Sequence, residues 1–184
     1  MNFRNTTQAW GWLSKSLHWL IVLLIITQWL IAERADELKG PAKIAALGWH
    51  KSFGITILAL ALIRLVWRFA NPVPSLADVT QRWERMLASI AHVLLYGLLF
   101  AIPLTGWMMS SARNFPVSWF QMLQLPDLVK PDKATYEFMH EAHEGLFGAL
   151  VVLAVLHVAG ALKHHFIDRN DVLKRMLPFG GPRS

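Results

Sequence analysis

The sequence contains no cysteine among its 184 residues, which excludes several kinds of chemistry at once. Without thiols there are no disulfides, no iron–sulfur clusters, no thiolate ligands to a metal and no covalent haem attachment through a Cys-x-x-Cys-His motif. Charged residues are also scarce, since they make up 16% of the chain whereas hydrophobic residues make up 54%. This composition predicts a polytopic membrane protein in one domain.

Four apolar runs are long enough to cross a bilayer as helices, and they extend over residues of about 12–32, 47–69, 87–109 and 143–162. Charged residues and no small-residue cleavage site follow the first run, so it is predicted to be a retained helix and not a signal peptide. The sequence therefore predicts an all-α fold, an integral membrane four-helix bundle over residues 1–184. An even number of spans places both termini on one side.

Lysine and arginine are unevenly divided between the two sides of this bundle. The N-terminus, the loop after the second run and the C-terminal tail hold eleven of them, and the other two loops hold seven. Eight of the twelve acidic residues lie on the second side, so the net charges are about +7 and −1. The positive-inside rule therefore predicts cytoplasmic termini in a bacterial inner membrane. The formal charge of +6 reflects this topology and indicates no nucleic-acid partner.

Two histidines, His143 and His157, lie fourteen residues apart in the fourth run. At ~100° per residue, fourteen steps return the side chain to within roughly 40° of its first direction, about 21 Å further along the axis. One helix face therefore carries one imidazole near each side of the bilayer. Because histidine is costly in hydrocarbon and is a common metal ligand, this pattern predicts partner histidines on neighbouring helices and a pair of stacked haems.

The predicted topology sorts the membrane histidines by depth. His50 begins the second run and pairs with His143 at the outer side, whereas His157 at the inner side has two possible partners, His18 and His92. A lone membrane histidine is more often a hydrogen-bonding residue at a helix contact, but independent packing histidines have no reason to form two layers. The matched depths therefore predict two non-covalent b-type haems, each held by two histidines.

Other residues near these positions leave alternatives open. His140 lies three residues before His143 and nearer the loop, and it remains an alternative ligand. His164 and His165 lie beyond the apolar run and are predicted to be solvated. Small residues after the candidate ligands leave space for a flat macrocycle but also suit plain helix packing. They are Gly54, Gly145, Gly148, Gly160 and Ala161.

Arg64 is an intramembrane charge that lies fourteen residues after His50, at the inner side on nearly the same helix face. Two interpretations carry equal weight. Arg64 snorkels to the cytoplasmic headgroups, as Arg68 is expected to do, or it serves as a counter-ion to a haem propionate or a contact for a quinone carbonyl.

Local features modify this helical plan. Pro103 is predicted to bend the third run, and Thr105 and Gly106 are predicted to accommodate the freed backbone. Residues 116–123, in the second outer loop, are aromatic and partly apolar, which is typical of an interfacial segment that lies on the bilayer. The tail over 168–177 is predicted to form a short amphipathic helix.

Each of the four runs carries its own short motifs, in or next to the apolar stretch. They are Leu17-His18-Trp19, His50 with Gly54, Arg64-Leu65-x-x-Arg68, the set His92, Tyr96, Pro103 and Gly106, His143-Glu144, His157 and His164-His165-Phe166. These motifs resemble the bacterial cytochrome b561 family over nearly the whole chain. That family shares a four-helix fold with the cytochrome b subunits of nickel hydrogenases and formate dehydrogenases.

The resemblance implies a ligand set and a reaction. It implies that His18 and His157 hold the inner haem and that His50 and His143 hold the outer haem, which leaves His92 near a propionate or a quinone. The chain is similar to the short stand-alone members of the family, which implies superoxide oxidation at the periplasmic face and reduction of ubiquinone in the membrane. With two histidines per iron, electrons enter or leave by the haem edge.

Outer cations are candidates for steering superoxide, because an anion is attracted by local positive charge. The outer side is about neutral overall, so strong steering is not expected. The candidates are Lys51, Arg34 and Arg113, with Lys39 and Lys43.

Two other functions remain open. The chain is alternatively a cytochrome b subunit that carries electrons between a periplasmic dehydrogenase or hydrogenase partner and the quinone pool, and this needs an outer docking surface. A haem-free transporter, whose intramembrane histidines and arginine relay protons or bind a metal ion, is the third possibility, and it predicts a colourless protein.

Overall fold

A computed structural model of the chain describes residues 2–75 and 80–179. Most of these residues lie in four helices, each long and apolar enough to cross a membrane. The helices are α1 (Trp12–Glu37), α2 (Gly40–Phe69), α3 (Arg82–Ala112) and α4 (Lys133–Phe166). They confirm the predicted all-α fold of a four-helix membrane protein, while the cytoplasmic location of the termini stays a prediction.

Each helix extends beyond the apolar run that predicted it, and α4 shows why. It begins at Lys133, ten residues before His143. Asp132 precedes it and accepts a hydrogen bond from the backbone N–H of Thr135 at 2.7 Å, which caps the first turn. Hydrogen bonding from the side chain of Thr135, and then from its backbone N–H, lowers the pKa of Asp132. A helix satisfies its backbone internally, so it continues through polar residues where no apolar pattern marks it.

Two short elements complete the described chain. Strands β1 (Ser118–Trp119) and β2 (Leu123–Gln124) pair as an antiparallel hairpin between α3 and α4. The segment predicted to lie on the bilayer surface therefore contains a hairpin. Helix α5 (Val172–Met176) follows α4, within the tail predicted to be helical.

The described residues group into two compact units, and each of the four long helices contributes to both. The first unit comprises the described parts of Met1–Leu20, Leu62–Gly97 and Ala149–Ser184, and the second comprises Ile21–Ala61 and Leu98–Gly148. The single domain expected over residues 1–184 stays a prediction.

In the first unit, the buried side chain of Asn5 joins the N-terminal segment to the helices. Its Oδ1 accepts hydrogen bonds from Gly11 N at 2.9 Å and from Ser14 Oγ at 2.6 Å, and its Nδ2 donates to Pro72 O at 3.1 Å. Trp67 Nε1 also donates to Ser14 Oγ, at 3.1 Å. A buried amide with every group paired fixes the N-terminal segment against the start of α1 and the end of α2.

Gly11 lies where a side chain has no room, because an added Cβ would lie 2.5 Å from backbone atoms of Phe3 and Arg4. At Gly48 in α2 the same atom would meet no described atom within 4 Å. We expect Gly11→Ala to destabilise the protein by about 1–3 kcal/mol through overpacking. The matched control Gly48→Ala is expected to be neutral or to stabilise by up to about 1 kcal/mol, because alanine favours a helix. Thermal unfolding of the two purified variants in detergent measures both changes in stability. Equal melting temperatures for Gly11→Ala and Gly48→Ala would contradict the prediction.

Candidate functional site

Two histidine rings face each other in the second unit. The ring centroids of His50 in α2 and His143 in α4 lie 6.3 Å apart, with the ring planes at 70°. A metal ion bound to one nitrogen of each ring at about 2.0–2.1 Å, with each ring centre about 1.1 Å behind its nitrogen, would separate the centroids by about 6.3 Å. The spacing of this pair, named here the second-unit pair, therefore suits one metal ion.

The first unit holds a similar pair and a third ring. His18 in α1 and His157 in α4, named here the first-unit pair, have centroids 6.5 Å apart and planes at 78°. The ring of His92 in α3 lies 5.3 Å from that of His157, which is too short for two rings on opposite sides of one metal ion, as a haem iron requires. Of the two partners that depth left open for His157, His18 has the spacing that suits opposed rings.

Hydrogen bonds orient His143. Its Nδ1 donates to Ile102 O at 2.9 Å and lies 3.2 Å from Thr105 Oγ1. A carbonyl oxygen only accepts, so Nδ1 carries the proton and Nε2 is left unprotonated, as a metal ligand must be. Helix α3 continues through Pro103, and the Thr105 hydroxyl lies 2.9 Å from Ile102 O and 3.0 Å from Ala101 O, neither of which is the carbonyl that the proline frees. That Thr105 accommodates the freed backbone therefore stays a prediction.

The glycines on α3 and α4 near these rings differ in how much space a side chain would have. A Cβ at Gly106 would lie 3.0 Å from Cε1 of His143, so glycine allows the ring to pack against α3. A Cβ at Gly145, Gly148 or Gly160 would meet no described atom within 4 Å. These three glycines are therefore not required for close contacts among the described residues, and their role in leaving space for a macrocycle stays a prediction.

Two buried polar atoms of the second unit have no hydrogen-bond partner among the described residues, Gln28 Oε1 and His50 Nδ1. The amide of Gln28 donates from Nε2 to His50 O at 2.8 Å, and a Cβ at Gly54 would approach that Nε2 to 3.3 Å. Unpaired buried polar atoms next to a ring pair indicate a bound group or water. Together with the ring spacing and the all-histidine donor set, they fit a haem. Gln28 was not predicted from the sequence, although a lone amide in an apolar run is a signal of a buried polar contact.

Arg64 lies in the first unit and is held against α3. Its Nε donates to the hydroxyl of Tyr96 at 3.0 Å, and its guanidinium carbon lies 5.9 Å from the centre of that ring. Arg64 belongs to the same compact unit as His18 and His157. Its hydrogen bond to Tyr96 directs the guanidinium towards α3, while its role beside a propionate or a quinone stays a prediction.

His140, the alternative to His143, contacts its own helix. Its Nε2 lies 3.5 Å from Glu144 Oε1, and its ring centre lies 5.9 Å from that of Tyr136. The ring that faces His50 at metal-binding distance is that of His143.

His164 belongs to an ionic cluster near the end of α4. Its Nδ1 lies 2.8 Å from Asp168 Oδ2 and its side chain is 14% exposed, so the prediction that it is solvated was wrong. The ammonium of Lys163 bridges Asp168, at 2.9 Å, and Glu84 of α3, and it lowers the pKa of Asp168. Glu84 lies 79 residues before Lys163, so no local pattern indicated the cluster.

Two of the cations predicted to steer superoxide differ in their partners. Arg34 Nη1 lies 2.5 Å from Glu37 Oε2, so a carboxylate balances its charge. Arg113 Nη1 donates to the neutral hydroxyl of Tyr136 at 2.8 Å. Arg34 is therefore a weaker candidate than the sequence indicated.

Lys51, the third of these cations, follows His50 directly. Its Nζ donates to Ser110 Oγ at 3.3 Å, to Phe115 O at 3.3 Å and to Pro116 O at 3.0 Å. The same atom lies 3.5 Å from the centre of the Phe115 ring. All of these partners are neutral, so none of them cancels the positive charge.

Comparison with known proteins gives matches over nearly the whole chain. A family model described as prokaryotic cytochrome b561 matches residues 9–179. Cytochrome b561 homolog 2 of Escherichia coli (strain K12) is 34% identical over 190 residues, which cover 96% of this chain and 95% of that protein. The probable superoxide oxidase CybB of Yersinia pestis is 28% identical over 167 residues, which cover 88% and 92%. Cytochrome b561 homolog 1 of Escherichia coli (strain K12) is 27% identical over 169 residues, which cover 88% and 93%.

The matched region contains all four apolar helices and every histidine described above. The relatives are bacterial, which agrees with a multi-pass protein of the bacterial inner membrane. Such a match, over nearly the full length of chain and relatives alike, shows that the chain belongs to the prokaryotic cytochrome b561 family, whose members bind b-type haem and transfer electrons.

Proposed function

We propose that this protein holds two b-type haems, oxidises superoxide at the periplasmic face and reduces ubiquinone in the membrane. The first-unit pair, His18 and His157, would bind one iron, and the second-unit pair, His50 and His143, would bind the other. The spacing of the two ring pairs, 6.5 Å and 6.3 Å, carries the proposal, because both values suit one metal ion bound to two imidazoles.

The choice of superoxide is supported by a relative, 28% identical, that is named a probable superoxide oxidase. In the overall reaction, two superoxide anions each lose one electron and become dioxygen, and ubiquinone takes up two electrons and two protons to become ubiquinol. Haem, when bound, supplies one-electron transfer between these substrates. Because two histidines would hold each haem iron, no site on the metal would be left for a substrate, and the protein would bind its substrates beside the haem.

Three side chains of this protein are suited to interact with the charged or polar groups of the substrates and haems. Lys51, next to His50, has neutral partners, so its charge is suited to attracting an anion such as superoxide. Arg64 is held by Tyr96 next to the first-unit pair, where a guanidinium suits a haem propionate or a quinone carbonyl. The ring of His92 packs against that of His157 at a distance too short for the opposed ligands of a haem iron, which is compatible with a role near a propionate or a quinone.

The family implies haem, so the haem-free transporter is not proposed. The alternative of a subunit docked on a periplasmic dehydrogenase or hydrogenase shares the haems and differs in the electron donor. The experiment below separates that alternative from the superoxide reaction.

The proposed reaction is tested with the purified protein in one cuvette. A pyridine haemochrome count is expected to give two b-type haems per chain. A pulse of superoxide is expected to produce the reduced visible spectrum, and a soluble ubiquinone is expected to reoxidise it. Two haems that do not respond to superoxide would overturn the substrate and favour the docked electron carrier, and absence of haem would overturn the whole proposal.

The ligand set predicts which haem each histidine variant loses. We expect His143→Ala to remove mainly the haem of the second-unit pair and His157→Ala mainly that of the first-unit pair. Each variant should therefore fall from two haems per chain towards one, measured by pyridine haemochrome. The control His140→Ala should keep both. Retention of two haems in either ligand variant would contradict the assignment.

Gly106 provides a finer test of the second-unit pair. Gly106→Ala would place a Cβ 3.0 Å from His143 Cε1, so the ring must shift by a few tenths of an ångström. We expect the midpoint potential or the occupancy of one haem to change while the other haem is unaffected, as measured by redox titration of the visible spectrum. Gly97→Ala on the same helix is the control, because its Cβ would meet no described atom within 4 Å. If Gly106→Ala, Gly97→Ala and the parent protein gave the same midpoint potentials and haem occupancies, this would be evidence against His143 as a haem ligand.

A further inference from the structure

The hairpin between α3 and α4 has an unusual turn. Phe120 and Gln121 have φ angles of 48° and 60°, in the left-handed region that bulky residues rarely adopt. Met122 N donates to Trp119 O at 3.0 Å, which closes a turn with two consecutive positive φ angles. Turns of this kind ordinarily contain Asn-Gly. With Phe-Gln in these positions, contacts outside the turn must stabilise it.

Side chains of α2 bind this hairpin at two levels. The hydroxyl of Ser52 accepts a hydrogen bond from Phe120 N at 2.9 Å and lies 3.1 Å from Ser118 O. One helical turn later, Thr56 Oγ1 accepts a hydrogen bond from Trp119 Nε1 at 3.1 Å. The hairpin therefore lies along the side of α2 and not beyond its end.

Aromatic contacts hold the strained residue of the turn. The ring of Phe120 lies 5.7 Å from that of Trp49, 5.4 Å from that of Phe53 and 5.3 Å from that of Trp119, all at edge-to-face angles. Trp49 and Phe53 lie on either side of His50 in the sequence. The hairpin is thus attached to the stretch of α2 that carries one ring of the second-unit pair.

The points of attachment lie in the apolar part of α2. Residues 52–63 contain no charged side chain, and they belong to a helix long and apolar enough to cross a membrane. Lys51, immediately before this stretch, binds the entry to the hairpin through Phe115 O and Pro116 O. Thr56 lies five residues further, which is about 7.5 Å along the helix axis. The chain therefore enters at the charged boundary and extends alongside the uncharged stretch.

The hairpin has the chemistry of a segment that contacts lipid. Residues 115–126 contain no charge. Met122 is 82% exposed and Leu123 is 56% exposed, so the protein leaves the tip uncovered. In addition to the strand pairing and the turn, Leu125 N donates to Val117 O at 2.9 Å. Non-helical backbone at membrane depth is tolerated only where the protein or water offers it partners. Besides the strand pairing, such partners are present for the N–H groups of Phe120, Met122 and Leu125.

We propose that the hairpin is inserted into the bilayer, with Met122 and Leu123 in contact with lipid acyl chains. The exposed tip then continues the lipid-facing surface of the transmembrane helix to which it is bound. In this arrangement the hairpin forms a lipid-embedded wall next to His50 and is not a water-facing loop that docks a soluble protein.

The absence of cysteine allows a direct test. Single-cysteine variants Met122→Cys and Lys130→Cys, both at exposed positions of the same loop, are placed in lipid nanodiscs that leave both membrane faces open to water. We expect a charged, water-soluble maleimide to label Met122→Cys at least roughly ten-fold more slowly than Lys130→Cys, because thiolate formation and reagent entry are disfavoured in hydrocarbon. A nitroxide at position 122 should be more accessible to oxygen than to a nickel chelate, and one at position 130 should show the reverse.

The difference in labelling should disappear when the nanodiscs are dissolved and the protein is denatured, which confirms that both thiols are reactive. Leu123→Cys is a second reporter if Met122→Cys does not fold, as judged by the visible haem spectrum. Equal labelling rates in nanodiscs would overturn the proposal and place the tip in water, where it is free to dock a partner protein. This outcome does not depend on which electron donor the protein uses.

Discussion

The requirement that every polar group in hydrocarbon find a partner governs this protein. Helix formation satisfies the backbone of the four spans, and it leaves the side-chain nitrogens of the membrane histidines as the groups that need partners. In both units the rings stand apart at distances that suit a shared metal ion and do not hydrogen-bond each other. The bound carbonyl of Ile102 fixes the proton of His143 on Nδ1, which prepares the other nitrogen for a metal.

The same requirement shapes the connection between α3 and α4. A disordered or open loop next to an apolar helix would leave its amides unpaired, and the hairpin avoids this through its own strands and through Ser52 and Thr56. The positive φ angles of Phe120 and Gln121 are the local cost of that arrangement, and three aromatic neighbours of Phe120 offset it. Backbone strain and aromatic packing therefore both lie next to a candidate haem ligand.

Cations in the two units have different kinds of partner. In the first unit, the Lys163 cluster pairs a cation with two carboxylates, which suits a structural tie between α3 and the end of α4. In the second unit, Lys51 and Arg113 bind only neutral oxygens among the described residues. A cation without a carboxylate keeps its electrostatic field, which would attract the anionic substrate proposed above.

The sequence by itself determined the four spans, the membrane histidines and the family, because hydropathy, helical periodicity and short motifs are local properties. Depth in the membrane left the partner of His157 open between His18 and His92, and the family resemblance implied His18. Only the tertiary structure gives the distances of these rings from that of His157, 6.5 Å and 5.3 Å between centroids, because they depend on how α1 and α3 are rotated about their axes.

The hairpin and the partial burial of His164 could not be predicted for the same reason. Phe120 is held by Ser52, 68 residues earlier, and the cluster that contains His164 depends on Glu84, 79 residues before Lys163. Interactions between distant residues decide such features, and the local sequence carries no pattern for them. The sequence also predicted helices that were too short: the apolar run begins near His143, whereas α4 begins at Lys133. The backbone hydrogen bonds of a helix continue where its apolar pattern stops.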